Sequence, residues 1–260
     1  MKHLYTTKLQ AGSGLIEDTR ILLNLWEPGM NPQQLLHAAL DTGAFPIMSA
    51  RRLRNIVMEC FAPRYLGDNE YPAWVLKPLS SSLSSTAFHQ LLFLFTARAN
   101  AILADFVKQV YWNRCAGGHV VIHNEEAREF VIQASQEGRT TTTWSESTIR
   151  RVSGYLTGCC SDFGLLEPGR RTVRKIVPFR NSQELAVFLA YDLHFAGLGD
   201  NAVIVHPDWE LFGLEKEDVR DELKRLALKG FWIVQTAGES TRISWSCTRW
   251  EEVIDGIAGR

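Results

Sequence analysis

A mainly α, multi-helical fold with helix-turn-helix-like and winged-helix-like units and short β-hairpin wings is predicted by three features of this 260-residue sequence. Apolar residues recur at helical spacing along most of the chain. Pro and Gly residues interrupt that spacing at short intervals. Twice, an amphipathic helix is followed by two short apolar runs about a turn, which is the outline of a helix with a hairpin behind it. With 45% hydrophobic and 22% charged residues, the chain has the composition of a globular protein with a real core.

The elements follow in order. Leu15 to Trp26 is apolar at positions 15, 16, 22, 23, 25 and 26 and stops at Pro28-Gly29, as a short helix does. Pro32 opens the next helix, through Leu35, Leu36 and Ala39, and Asp41-Thr42-Gly43 closes it. After Phe45-Pro46-Ile47-Met48, Ser49 is the expected N-cap of a helix running to about Phe61. The spacing is loosely that of a helix-turn-helix. Pro63, Gly67 and Pro72 predict a loop, and the serine run from 80 to 85 predicts the cap of the following helix. Leu91 to Trp112 is expected to be the longest helix, ended by Gly117-Gly118. Arg98, Asn100, Asp105 and Lys108 interrupt it, whereas a bilayer span needs roughly 20 nearly uncharged residues. It reads as a buried helix, not a membrane anchor.

His119 to Gln136 reads as a short extended piece and then a helix from Glu125. A further amphipathic helix, capped by Thr143 or Ser145, carries Ile149, Val152, Leu156, Cys160 and Phe163 on one side. Two apolar runs about Pro168-Gly169 complete the winged outline. The last third offers an apolar helix from Glu184 to Ala196, a charged helix with Leu214, Val219, Leu223 and Leu226 inside, and a hairpin about residues 237–240. The expected domains are 1–140, a helical region with the helix-turn-helix-like unit; 141–180, the winged-helix-like unit; and 181–260, an acidic helix-plus-hairpin unit.

Charge is uneven. Residues 1–180 hold 20 Lys and Arg against 15 Asp and Glu, a net of +5, and residues 181–260 hold 8 against 14, a net of -6. The first part suits a polyanion. On the helix from Ser49, Arg51, Arg52, Arg54 and Asn55 lie opposite the apolar arc; arginine forks onto phosphate or guanine and asparagine pairs with adenine. On the later helix, Ser147, Arg150, Arg151, Gly154 and Gly158 share the polar side. Two glycines inside a helix, each costing about 1 kcal/mol against alanine, predict crowding by a neighbouring helix or by nucleic acid. The turn behind it holds Arg170, Arg171, Arg174 and Lys175, which in a winged helix lie over phosphates. Together these residues predict duplex-DNA binding.

Enzymatic readings are weaker. Gly12-Ser13-Gly14 lacks the rest of a dinucleotide fingerprint, and no phosphate-binding GxxxxGK[ST] loop occurs. His119 and His123 with Glu125 and Glu126 could in principle line up metal ligands, but a lone histidine pair is more often a surface or core-edge feature than a ligand set. Pro207-Asp208 with Glu222-Leu223-Lys224 imitates a nuclease motif, but the second part falls in a helix where carboxylates and lysine do not converge on Mg²⁺. The five cysteines form no CxxC pair and read as reduced thiols. No catalytic residues, metal or other cofactor is expected, and the N-terminus opens no apolar signal region, so a cytoplasmic protein is expected.

The stretches Tyr5-Thr6-Thr7-Lys8-Leu9, Arg51-Arg52-Leu53-Arg54 leading to Phe61-Ala62-Pro63-Arg64-Tyr65-Leu66, Asp105-Phe106, and Ser147-Thr148-Ile149-Arg150-Arg151 leading to Gly164-Leu165-Leu166 resemble the BrxA family of bacteriophage exclusion (BREX) systems. The resemblance runs over nearly the whole chain. It implies a non-enzymatic, mainly helical DNA-binding core component of an anti-phage defence, acting beside other BREX proteins, with no catalytic motif to carry over. The oligomeric state is left open, a monomer being favoured. The runner-up reading is a protein-protein adaptor docking larger BREX components on its acidic C-terminal third; a metal-dependent nuclease is a distant third.

Overall fold

The computed structural model describes residues 4–11, 14–67, 69–169, 172–238 and 240–259. The chain divides into two compact units: Met1–Ser80 with Leu92–Phe179, and Ser81–Leu91 with Arg180–Arg260. The regular structure is helical apart from two short antiparallel strand pairs, as expected for a mainly α fold.

The first unit opens with a 3-10 turn (Lys8–Ala11), α1 (Ile16–Leu25) and α2 (Pro32–Asp41). Asn31 caps α2 reciprocally: its side chain accepts from the Gln34 amide at 3.0 Å and the Gln34 side chain accepts from the Asn31 amide at 2.8 Å. α3 (Ala50–Asn55) starts on Ser49, whose hydroxyl accepts from the Arg52 amide at 3.3 Å. It continues as a π-helical stretch (Ile56–Leu66), so the loop expected at Pro63 is helix instead. The wider turn closes through the Gly67 amide onto the Ala62 carbonyl, five residues back. α4 (Tyr71–Ser82) also replaces an expected loop, with Pro72 in its first turn, where no amide is needed, and Pro78 inside it.

α5 (Ser85–Ala99) is capped by Ser84, whose hydroxyl accepts from the Ala87 amide at 3.2 Å. The single long helix expected from Leu91 to Trp112 is broken at Asn100. α6 (Ala101–Phe106), a π-helical turn (Val107–Tyr111) and α7 (Trp112–Ala116) leave α5 at 112°. The Asn100 side chain donates to the Thr96 carbonyl at 2.8 Å, and its own carbonyl accepts from the Leu103 and Ala104 amides. A side chain that satisfies the outgoing turn and a carbonyl that starts the next account for the corner.

β1 (Val121–His123), α8 (Asn124–Gln136), α9 (Glu146–Asp162) and β2 (Val173–Lys175) complete the unit. β1 pairs antiparallel with β2 in the register Val121–Lys175, Ile122–Arg174, His123–Val173, and Leu166 bridges Ile176 on the other side. The order is strand, helix, turn, helix, bridge, loop, strand. The core runs across residue 140: Phe93 meets Phe163 at 5.4 Å between ring centroids, and the buried Tyr111 hydroxyl donates to the Leu165 carbonyl at 3.1 Å. The helical region and the winged region therefore share one core.

The second unit holds α10 (Gln183–Phe195), α11 (Asp200–Ile204), a 3-10 turn (Trp209–Phe212), α12 (Lys216–Ala227), β3 (Trp232–Ala237), β4 (Ser240–Trp245) and α13 (Trp250–Ile257). α10 is buried from Leu185 to Leu193. Gln90 joins the segment 81–91 to it, donating to the Arg180 carbonyl at 2.7 Å and accepting from the Ser182 amide at 2.9 Å. Trp232, the first residue of β3, is buried and donates to the Leu223 carbonyl at 2.8 Å.

His194 stacks flat on Trp245, ring centroids 4.2 Å apart. Burial lowers its pKa from the ordinary 6.5, against the opposing pull of the Asp200 carboxylate. The unfolded chain then takes up a proton before the folded one does. Stability is fully present above about pH 6.5 and falls as the pH drops through that value toward the lowered one. The urea midpoint of the wild type is expected to fall from pH 7.5 to pH 5.5 by more than that of His194→Gln; equal falls would assign the effect to other groups.

Candidate nucleic-acid interface

The structure places the polar side of α9 as the sequence predicts. Ser145 is the cap, accepting from the Thr148 amide at 3.3 Å, so the alternative at Thr143 is not used. Ile149, Val152, Leu156, Cys159 and Cys160 face inward, and burial pushes the Cys159 thiol up to about 12 and that of Cys160 well above its ordinary value. All five cysteines are free. Ser147, Arg150, Arg151 and Gly154 are exposed and Gly158 is half-exposed. A Cβ at Gly154 or Gly158 would meet nothing within 4 Å. Among the described residues, no neighbouring helix crowds either glycine. The result is an open helical surface from Ser147 to Gly158, with two arginines in its first half.

α9 is held from behind. The Thr157 hydroxyl donates to Asn124 of α8 at 2.9 Å, and the connection between the two helices turns on Gly138 at φ +67°. The extended N-terminus straps that connection: the Tyr5 amide donates to the Arg139 carbonyl at 2.7 Å, and the Thr141 amide donates to the Tyr5 carbonyl at 3.0 Å. Asp105 accepts from the Tyr5 hydroxyl and from the Arg139 guanidinium, both at 2.6 Å. At the start of α9, Glu146 accepts from Arg128 at 2.9 Å.

The wing corrects part of the expectation. Arg174 is only 9% exposed; it lies on the inner face of β2, paired with buried Ile122, and donates to the Glu167 carbonyl at 3.1 Å. It braces the wing and is not presented to a partner. Lys175 points outward, 67% exposed, with its ammonium 3.7 Å from the Glu167 carboxylate. Arg170 and Arg171 lie outside the described residues. Alternation along β2 puts Arg174 on one face with Ile176, but which face turns inward is set by the pairing with β1.

Arg51, Arg52, Arg54 and Asn55 are all exposed on α3, opposite buried Leu53 and Ile56. The charge of Arg52 also acts on Asp18, whose pKa is raised by burial and pulled back by that guanidinium. The two arginine-bearing sets thus form two faces on two helices of one unit. The second unit differs. On α12, Arg220 pairs with Glu217 at 2.9 Å, Lys224 pairs with Asp221 at 3.1 Å, and Arg225 pairs with Glu222. These three cations are paired within their own helix. No group of three or more metal-ligating side chains occurs among the described residues.

A multi-helical protein in which a strand-flanked helix pair turns a bare arginine-bearing helix face outward is a class that comparison with known proteins narrows. The chain belongs to the BrxA family, which it matches over residues 3–192, and this makes it a component of a BREX anti-phage defence system. Among solved structures, the crystal structure of an uncharacterized protein from Magnetospirillum magneticum is similar, with a TM-score of 0.59 and 16% identity over 74% of this chain and 94% of that one; the likeness is one of fold. No curated protein matches the chain. Among the described residues, no single helix is long and apolar enough to cross a membrane, although α5 and the bent helix that follows pass together by length and composition. α5 from Ala87 to Ala97 is largely buried in protein.

Proposed function

We propose that this BrxA family member is a non-enzymatic, cytoplasmic duplex-DNA-binding protein, in which α8 and α9 form a winged helix and grip phosphates through the outer side of α9, with α3 as a second contact. The observation that carries the reading is the side of α9 on which Ser147, Arg150, Arg151, Gly154 and Gly158 lie, where, among the described residues, a Cβ at either glycine would meet nothing within 4 Å. Small residues let a sugar-phosphate backbone come close to the helix while the two guanidinium groups neutralise it. Lys175 on the outer edge of β2 adds a phosphate contact; Arg170 and Arg171 are further candidates by sequence alone.

A salt series with an unrelated duplex tests this. Each phosphate neutralised contributes about -0.9 to the slope of log affinity against log salt, so a slope of -3 or steeper is expected. No binding at low salt would overturn the proposal.

Glu167 opposes the wing because its carboxylate sits beside Lys175. Glu167→Gln removes that competitor and is expected to tighten DNA binding severalfold at low salt, the size of an exposed ion pair of up to about 1 kcal/mol. An unchanged affinity in the same titration would show that Lys175 does not reach the duplex.

The adaptor reading keeps one supporting observation, the internally paired cations of α12, which suit a protein partner better than phosphates. Other BREX proteins are the partners that family membership suggests. Under this reading, charge reversal at Arg150 and Arg151 leaves co-purification with those proteins intact.

A further inference from the structure

Ile47 is 100% exposed, more than any other large apolar residue among those described. A fully solvated β-branched side chain gains nothing from folding. Single exposed apolar residues are common on protein surfaces, so exposure alone decides nothing. What distinguishes Ile47 is how it is held and what stands beside it.

The turn that carries it is fixed at both ends. Phe45 is buried at 9% exposure, and its carbonyl accepts from the Met48 amide at 3.1 Å. Pro46 holds the second position of that four-residue turn, where its ring pre-sets the backbone, so Ile47 occupies the third. Ser49 then caps α3. Ile47 therefore sits two residues ahead of the cap of a helix whose exposed side holds Arg51, Arg52 and Arg54. A rigidly presented apolar tip with three guanidinium groups following it matches a surface that is anionic along its edges and carries methyl groups between them. The major groove of duplex DNA is such a surface, with phosphates on its walls and thymine C5-methyl groups on its floor.

We infer that Ile47 is a base-contacting residue: with the arginines of α3 on phosphates, its side chain packs against thymine methyl groups in the major groove and gives the protein a preference for thymine-bearing sequence. This rests on the DNA-binding reading and adds a sequence preference to it. Ile47 lies in the connection from Asp41 to Ala50, immediately before α3, and the N-terminal end of a DNA-reading helix is the part that reaches base edges.

Deoxyuridine differs from thymidine by that methyl alone. The full-length protein and Ile47→Ala are titrated at low salt with two alternating duplexes, one of deoxyadenosine and thymidine, the other of deoxyadenosine and deoxyuridine. The wild type is expected to bind the thymidine duplex roughly fourfold more tightly for each methyl covered. Ile47→Ala, whose altered side chain touches nothing in the fold, is expected to bind both duplexes equally, near the wild-type affinity for the deoxyuridine duplex. Arg51→Ala is expected to weaken both duplexes by the same factor and leave the wild-type ratio unchanged. Equal wild-type affinity for the two duplexes, or a thymidine preference that survives Ile47→Ala, overturns the role of Ile47 and leaves phosphate binding standing. Failure of the wild type to bind either duplex overturns both.

Discussion

Reversing Arg150 and Arg151 together to glutamate is expected to lower the affinity for duplex DNA by at least 10²-fold at low salt and to reduce the salt slope by about 1.8. Two charge-assisted hydrogen bonds at about 1.5–3 kcal/mol each set the first figure, and two phosphates at about 0.9 each set the second. Both side chains are exposed on a helix whose inner side is intact, so the variant should keep its helical circular dichroism and thermal midpoint. A folded variant with undiminished affinity would move the contact to α3, and an unchanged slope with reduced affinity would mean that the arginines act through something other than phosphate.

Phe106→Ala is expected to cost about 3–5 kcal/mol, a large share of the stability of a typical domain. The ring is fully buried and meets Phe130 of α8 edge to face at 5.6 Å, and Phe130 in turn lies 6.2 Å from Tyr5 of the N-terminal strap. Its removal leaves a cavity behind the helix pair that carries the α9 surface. A fall in the urea midpoint and weaker DNA binding at temperatures near the new midpoint should appear together. A midpoint that does not move would show that neighbouring side chains close the space.

Much of the helical order was legible because it rests on local chemistry. The starts of α2, α3 and α9 are set by side-chain caps that three or four residues encode. Proline misled where its local meaning was overridden: Pro63 fits a π-helical turn and Pro72 sits in the first turn of α4. The corner at Asn100 was hidden because no glycine or proline marks it and the residue satisfies the broken turn with its own amide. At the candidate site, the exposed arginines of α3 and α9 follow from helical periodicity alone. Arg174 did not, because its direction depends on β1, a strand about fifty residues earlier that sets which side of β2 faces the core. The strap from Tyr5 to Arg139 has no local signature; it is a long-range pairing visible only once the chain is folded.

The assignment of residues 81–91 to the second unit has a consequence for how the protein is made and cut. As the polypeptide emerges from the ribosome, Phe88 and Leu91, both fully buried in the finished molecule, must wait until α10 and the residues after it have been synthesised. A stop codon after Phe179 would leave residues 81–91 without their partners and strand an apolar, aggregation-prone segment in the middle of an otherwise complete unit. No single cut releases both units whole: one requires residues from either side of the other, so nicks in the connections, not truncations, are the way to separate them.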